Sequence, residues 1–143
     1  LFKIARREDV NLNIGIGNKN EVLEAYFKKD LFHANTMDYE HKKNFIGDSL
    51  KKKINVQTLD TVIDKYAKNK NIDLIDIDCE GKDLEVLQGL DLNKHKIDLI
   101  LIEMHGYSEN TKKKGDLMFD ILKKNRFKKL YGNYPDTMIF KKY

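Results

Sequence analysis

Two stretches of this chain end in side chains that can move protons or hold charge. The first, IDLIDIDCEG at residues 72–81, is an apolar run with Asp76, Asp78 and Glu80 at alternating positions toward its end. The second, IDLILIEMH at residues 97–105, closes with Glu103 and His105. Carboxylates so spaced suit the orientation of a polar ligand or the capture of a divalent ion. His105, with an ordinary pKa of about 6.5, suits general-base work if a carboxylate such as Glu103 orients its ring. Plainer readings stand beside these. Carboxylates near a helix N-terminus gain about 0.3–1 kcal/mol each from its dipole, and His105 also reads as a polar residue of a surface loop.

These side chains need elements to position them. Residues 12–16 and 22–27 read as strands joined at the turn-like Gly17, Asn18, Lys19 and Asn20, which predicts a hairpin. The GIG at residues 15–17 does not open a dinucleotide loop, because the third glycine of G-x-G-x-x-G falls at Asn20 and no helical pattern follows. Residues 28–53 are polar and irregular, with Leu31, Phe32, Phe45 and Ile46 available to cover an edge. Leu59, Val62, Ile63, Tyr66 and Ala67 fall on one face of a helix over residues 58–68, with Thr58 able to cap it. A strand over 72–78 and a short helix over 82–90, burying Leu84, Leu87 and Leu90, come next, with Gly81 permitting a sharp turn between them. Residues 97–102 predict a strand covered on both faces. A helix over 116–124, with Leu117, Ile121 and Leu122 inward, and strands over 127–131 and 137–142 around GNYPD complete the chain.

This order predicts one α/β unit over residues 1–143, with a mostly parallel sheet and an antiparallel element at its terminal edge. Ligands of such sheets bind outside the carboxyl ends of the strands. Asp78, Glu80, Glu103 and His105 are therefore expected to converge on one edge.

Composition narrows the function classes. At 143 residues and 41% apolar content the chain can bury one ordinary core. No run approaches the roughly 18 apolar residues of a membrane span, so a membrane role is not expected. Basic residues number 27 against 23 acidic, but only Arg6, Arg7 and Arg126 are arginine. The lysine runs at 51–53 and 112–114 read as solvated loop residues without interleaved aromatics, so no nucleic-acid partner is expected. Cys79 is the lone cysteine; it fits a reducing compartment, cytoplasm by default, and reads as a small buried hydrophobe rather than a nucleophile. His33, His41 and His95 show no ligand spacing, and no metal is assigned to them.

The stretches VQTLDTVIDKY, IDLIDIDCEGKDLEVLQGL and IDLILIEMHGY resemble the FkbM family of S-adenosylmethionine-dependent methyltransferases: its TLD helix, its ID-x-IK-IDVEG-x-E-x-x-VL-x-G signature and its following strand ending in E-x-H. DVNLNIGIGNKN and the NTMD at residues 35–38 are similar too. Asp76 stands where the family usually has lysine, and Cys79 where it usually has valine. The resemblance implies a class I, Rossmann-like methyltransferase fold lacking its first two strands, since no glycine-rich loop and no ribose-binding carboxylate precede residue 12.

It also implies methyl transfer to a hydroxyl, on a sugar or another small metabolite, with His105 as base. Asp78 and Glu80 would orient the acceptor or attract the cationic donor, and Glu103 would contact the substrate. The chain alone is expected to bind S-adenosylmethionine weakly or not at all, and an uncovered strand edge makes a homo-oligomer a possible compensation. Two other classes remain open. Asp76, Asp78 and Glu80 also resemble the D-x-D of metal-dependent nucleotide-sugar glycosyltransferases, and the acidic tip is compatible with a non-catalytic interaction domain.

Overall fold

A computed structural model of the chain describes residues 2–28 and 35–143. The elements are helix α1 (Phe2–Ala5), strands β1 (Gly15–Gly17) and β2 (Glu21–Phe27), helix α2 (Tyr39–His41) running into a π-helical turn (Lys42–Ile46), strand β3 (Leu50–Thr58), helix α3 (Leu59–Tyr66), strand β4 (Ile72–Ile77), helix α4 (Asp83–Gln88), strand β5 (Ile97–Glu103), helix α5 (Glu109–Lys124), and strands β6 (Phe127–Tyr131) and β7 (Thr137–Lys142).

The strands form two sheets, ordered β1-β3-β2 and β4-β5-β7-β6. In the second, β4 and β5 are parallel neighbours with Ile75 opposite Ile100 and Ile77 opposite Ile102, while β7 runs antiparallel to both β5 and β6. The α/β class and the parallel β4–β5 pair agree with expectation. Three of this sheet's four strands, β4, β5 and β6, also run the same way with the terminal β7 antiparallel to them, as expected, but β7 inserts between β5 and β6 rather than adding at the edge.

The expected hairpin of residues 12–16 and 22–27 is also corrected. β1 pairs parallel, and β2 antiparallel, with opposite edges of β3. Asn20 helps to fix this arrangement, because its Oδ1 accepts from the Thr58 N–H at 2.9 Å and so ties the connection to the end of β3. The lysines at 51–53, expected in a loop, pair in β3 with Tyr26, Ala25 and Glu24. Lys51 Nζ lies 3.2 Å from Glu24 and 5.6 Å from the Tyr26 ring, while Lys52 Nζ lies 5.7 Å from the Phe27 ring. Of the proposed edge-covering residues, Ile46 is buried, whereas Leu31 and Phe32 lie outside the described residues.

Helix α3 is capped as expected: Thr58 Oγ1 accepts from Thr61 N–H at 3.1 Å, and Ile63 is buried. Helix α5 begins earlier than the expected residue 116, because Ser108 and Thr111 form a reciprocal capping box. Gly115, just before that expected start, lies inside the helix as a packing site, since a Cβ there would come within 2.6 Å of the Tyr134 ring. The lysines at 112–114 are accordingly helical. Leu117 is 50% exposed rather than inward, and Met118 turns to the core instead.

One core joins the helices to a single face of the four-stranded sheet. Ile77, Ile100, Ile102, Met138 and Phe140 supply the sheet face; Ile63, Leu84, Leu87, Met118 and Leu122 supply the helices. The opposite face is less covered than expected: Leu99 and Leu101 are half-buried, and Leu74 is 47% exposed. Among the described residues no helix is long and apolar enough to cross a membrane.

Candidate active site at the ends of β4 and β5

Beyond Ile77 the chain leaves β4 through Asp78, Cys79, Glu80 and Gly81 and re-enters a helix at Asp83. The turn is tight. Glu80 has φ 48° and Gly81 φ 95°, both left-handed. For glycine this is easy, whereas for Glu80 it costs on the order of 1 kcal/mol. The Thr36 hydroxyl holds that backbone by donating to the Glu80 carbonyl at 2.6 Å. Asp83, only 3% exposed, braces the turn from below, accepting from Cys79 N–H at 2.8 Å and Gly81 N–H at 3.2 Å. Burial pushes the Asp83 carboxyl up to about 6 against the pull of those bonds.

The parallel register brings the end of β5 beside this turn. Glu103 is pushed up to about 8, first by burial and then by the charges of Asp78, Asp83 and Glu80, with a hydrogen bond to Asp78 adding to the effect. It is therefore mainly protonated at pH 7. His105 Nε2 lies 3.3 Å from Glu103 Oε2, but the two are not aligned for a hydrogen bond. With Glu103 neutral, their proximity is not an ion pair near neutrality. Burial lowers the His105 pKa despite the nearby Asp78, so the ring is neutral with a lone pair to offer. Tyr134 anchors the segment by donating its hydroxyl to the His105 carbonyl at 2.9 Å.

A third segment enters from α2. His41, 3% exposed, places Nε2 3.1 Å from Glu80 Oε2 and its ring centroid 5.4 Å from that of His105. Burial, then the neighbouring His105, lowers its pKa. Tyr107 packs tilted against His105, with ring centroids 5.4 Å apart, and edge-on to His41 at 6.3 Å, and burial pushes its hydroxyl up to about 12. Asp38 caps α2 by accepting from His41 N–H at 2.9 Å. Burial alone would raise Asp38, but that bond and Lys114 outweigh it and lower the pKa.

Lys114 ties α5 to the β4–α4 turn and to the start of α2. From α5 its Nζ reaches Asp38 Oδ2 at 3.0 Å and the Gly81 carbonyl at 2.9 Å. Lys114→Ala should cost about 1–2 kcal/mol in urea denaturation, because the more distant Lys82, at 3.7 Å, would be the one cation left beside Asp38 among the described residues. An unchanged midpoint would show that the clamp contributes nothing.

A cleft of about 500 Å³ opens beside the turn, walled by Gly15, Ile16, Phe27 and Ile54 on one side and by Asp78, Cys79 and Glu80 on the other. Asp78, Glu80, Glu103 and His105 thus gather at one sheet edge, with the two former facing the cleft. Asp76 remains exposed on β4 and does not line it. Cys79 is no nucleophile near neutrality, since burial pushes its thiol up to about 12. His95 belongs elsewhere, with Nε2 3.0 Å from Asp60 Oδ1; His33 lies outside the described residues.

Sequence reasoning missed His41, Asp83, Lys114 and Tyr107. Asp38 stood in the NTMD stretch without an assigned role. Lys114 carried no signal, because nothing local separates a clamping lysine from its solvated neighbours.

The sequence model of the methyltransferase FkbM domain matches residues 1–129 of the chain. No curated protein and no solved structure matches it.

Proposed function

From the chain's membership of the FkbM methyltransferase domain family, we propose that it carries the acceptor side of an S-adenosylmethionine-dependent methyl transfer to a hydroxyl of a sugar or another small metabolite. The observation that carries this reading is the placement of His105 Nε2 3.3 Å from Glu103 at the sheet edge where Asp78 and Glu80 line a cleft. When bound, S-adenosylmethionine supplies an electrophilic methyl whose bond to sulfur breaks, its electron pair going to sulfur, as the acceptor oxygen attacks.

The protein residues align the acceptor and take its proton. Burial lowers the His105 pKa, and the imidazole lone pair takes the hydroxyl proton. Asp78 and Glu80 orient acceptor hydroxyls, and their carboxylates suit a sulfonium placed in the cleft. Glu103 and His105 both stand behind Asp78 and Glu80 rather than lining the cleft, so Glu103 acts on the substrate only through its neighbour His105. Nucleotide-sugar transfer through Asp76, Asp78 and Glu80 fits less well, because Asp76 does not line the cleft.

Carboxylates at one strand tip satisfy only the cationic part of this cofactor; its ribose and adenine need convergent contacts of their own. Calorimetric titration of the chain with S-adenosylmethionine should therefore show weak binding, with a Kd on the order of 1 mM or above. Tight stoichiometric binding would place the cofactor site within this chain and overturn the assignment of an acceptor side alone.

A further inference from the structure

We propose that His41, Glu80 and His105 form a binding site for a divalent transition-metal ion of the zinc class. The three residues come from separate segments, α2, the β4–α4 turn and the chain beyond β5. Each offers a ligand atom, and these atoms all lie within 4.8 Å of one another. His41 Nε2 and Glu80 Oε2 are 3.1 Å apart. Bonds of roughly 2.0–2.1 Å in a tetrahedral set place neighbouring ligand atoms about 3.3 Å apart, so little movement is needed on that edge. Two imidazoles and one carboxylate favour zinc, iron or cobalt over magnesium or calcium, which take oxygen ligands.

Independent features hold this geometry. His41 is nearly fully buried and its backbone is fixed by Asp38. Glu80 keeps a left-handed backbone against its intrinsic cost, pinned by Thr36. Gly81 brings the turn against α2, where a Cβ would meet both Asp38 and His41 at 3.2 Å. Asp83, Glu103 and His105 also satisfy the distance requirement. In that set Asp83 is committed to two backbone N–H groups, whereas Glu80 is directed at His41 and the cleft.

The site does not rest on methyl transfer, but it bears on it. An ion at His105 takes the lone pair that proton transfer needs, so a loaded site withholds the proposed base. This makes the ion an inhibitor of that reaction.

The test is binding by the chain itself, after chelator treatment, by calorimetry with zinc and by visible absorption with cobalt(II). One ion per chain is expected, with a micromolar or lower zinc Kd and the cobalt absorption of a four- or five-coordinate site. His41→Ala, Glu80→Gln and His105→Ala should each weaken zinc by at least about tenfold, while His95→Ala should bind as the unaltered chain does. Circular dichroism identifies any variant that fails to fold, and the remaining two then decide. Millimolar binding, or unaltered affinity in any folded member of the three, overturns the site. Absence of methyl transfer by the unaltered, metal-free protein, with zinc bound as expected, would overturn the proposed function and leave this site standing.

Discussion

His105→Ala should lower the turnover of methyl transfer by about 10² or more in the protein that contains this chain, with a much smaller change in KM for the acceptor. The ring lies beyond the end of β5, burial keeps it neutral, and Glu103 lies 3.3 Å away. Removing it takes away the group that accepts the hydroxyl proton and leaves the carboxylates that orient the acceptor. His105→Gln should be equally impaired, since glutamine preserves polarity but cannot take the proton, and added imidazole should restore part of the rate to the alanine variant. An unchanged rate would remove His105 from the reaction.

The second large effect is on stability. Glu103 has its folded pKa raised from 4.5 to about 8, so the folded chain retains a proton that the unfolded chain has lost. Its stabilising contribution is fully present below pH 4.5 and disappears as pH rises through 8. Below pH 6.5 the lowered pKa values of His41 and His105 act in the opposite sense, because there the unfolded chain gains protons that the folded rings refuse. That effect fades only by about pH 7.5, so from pH 6.5 to 8 it offsets part of the Glu103 contribution. In the presence of EDTA, urea denaturation should show stability falling across this range by about 1 kcal/mol. Glu103→Gln should abolish the decline, and the variant should be the more stable protein at pH 8. A level profile in the unaltered chain would mean that Glu103 is ionised throughout.

What could be read from the sequence follows from how local each signal is. β4 and β5 announce themselves because isoleucine and leucine dominate their runs, and α3 because Leu59, Ile63 and Ala67 repeat at helical spacing beside a capping Thr58. The edge shared by Asp78 and Glu103 followed from these, since strand ends fix where their side chains emerge. β3 escaped because its first half is lysine, the composition of a loop, and what makes it a strand is pairing with β1 and β2. The hairpin expectation failed for the same reason. Gly115 hid the true start of α5, because the ring it packs against, Tyr134, lies in a different segment. His41 escaped because its partners Glu80 and His105 are distant along the chain, and only the folded α2 brings it to them.

The most direct measurement is transfer from S-adenosylmethionine labelled with ¹³C at the methyl group, using the protein that contains this chain and a panel of sugars and polyhydroxylated metabolites, with products read by NMR. We predict an O-methyl resonance with at least one acceptor, reduced about 10²-fold or more in His105→Ala. Label recovered only on nitrogen or sulfur, or an O-methyl product formed at an equal rate by the variant, would contradict the account.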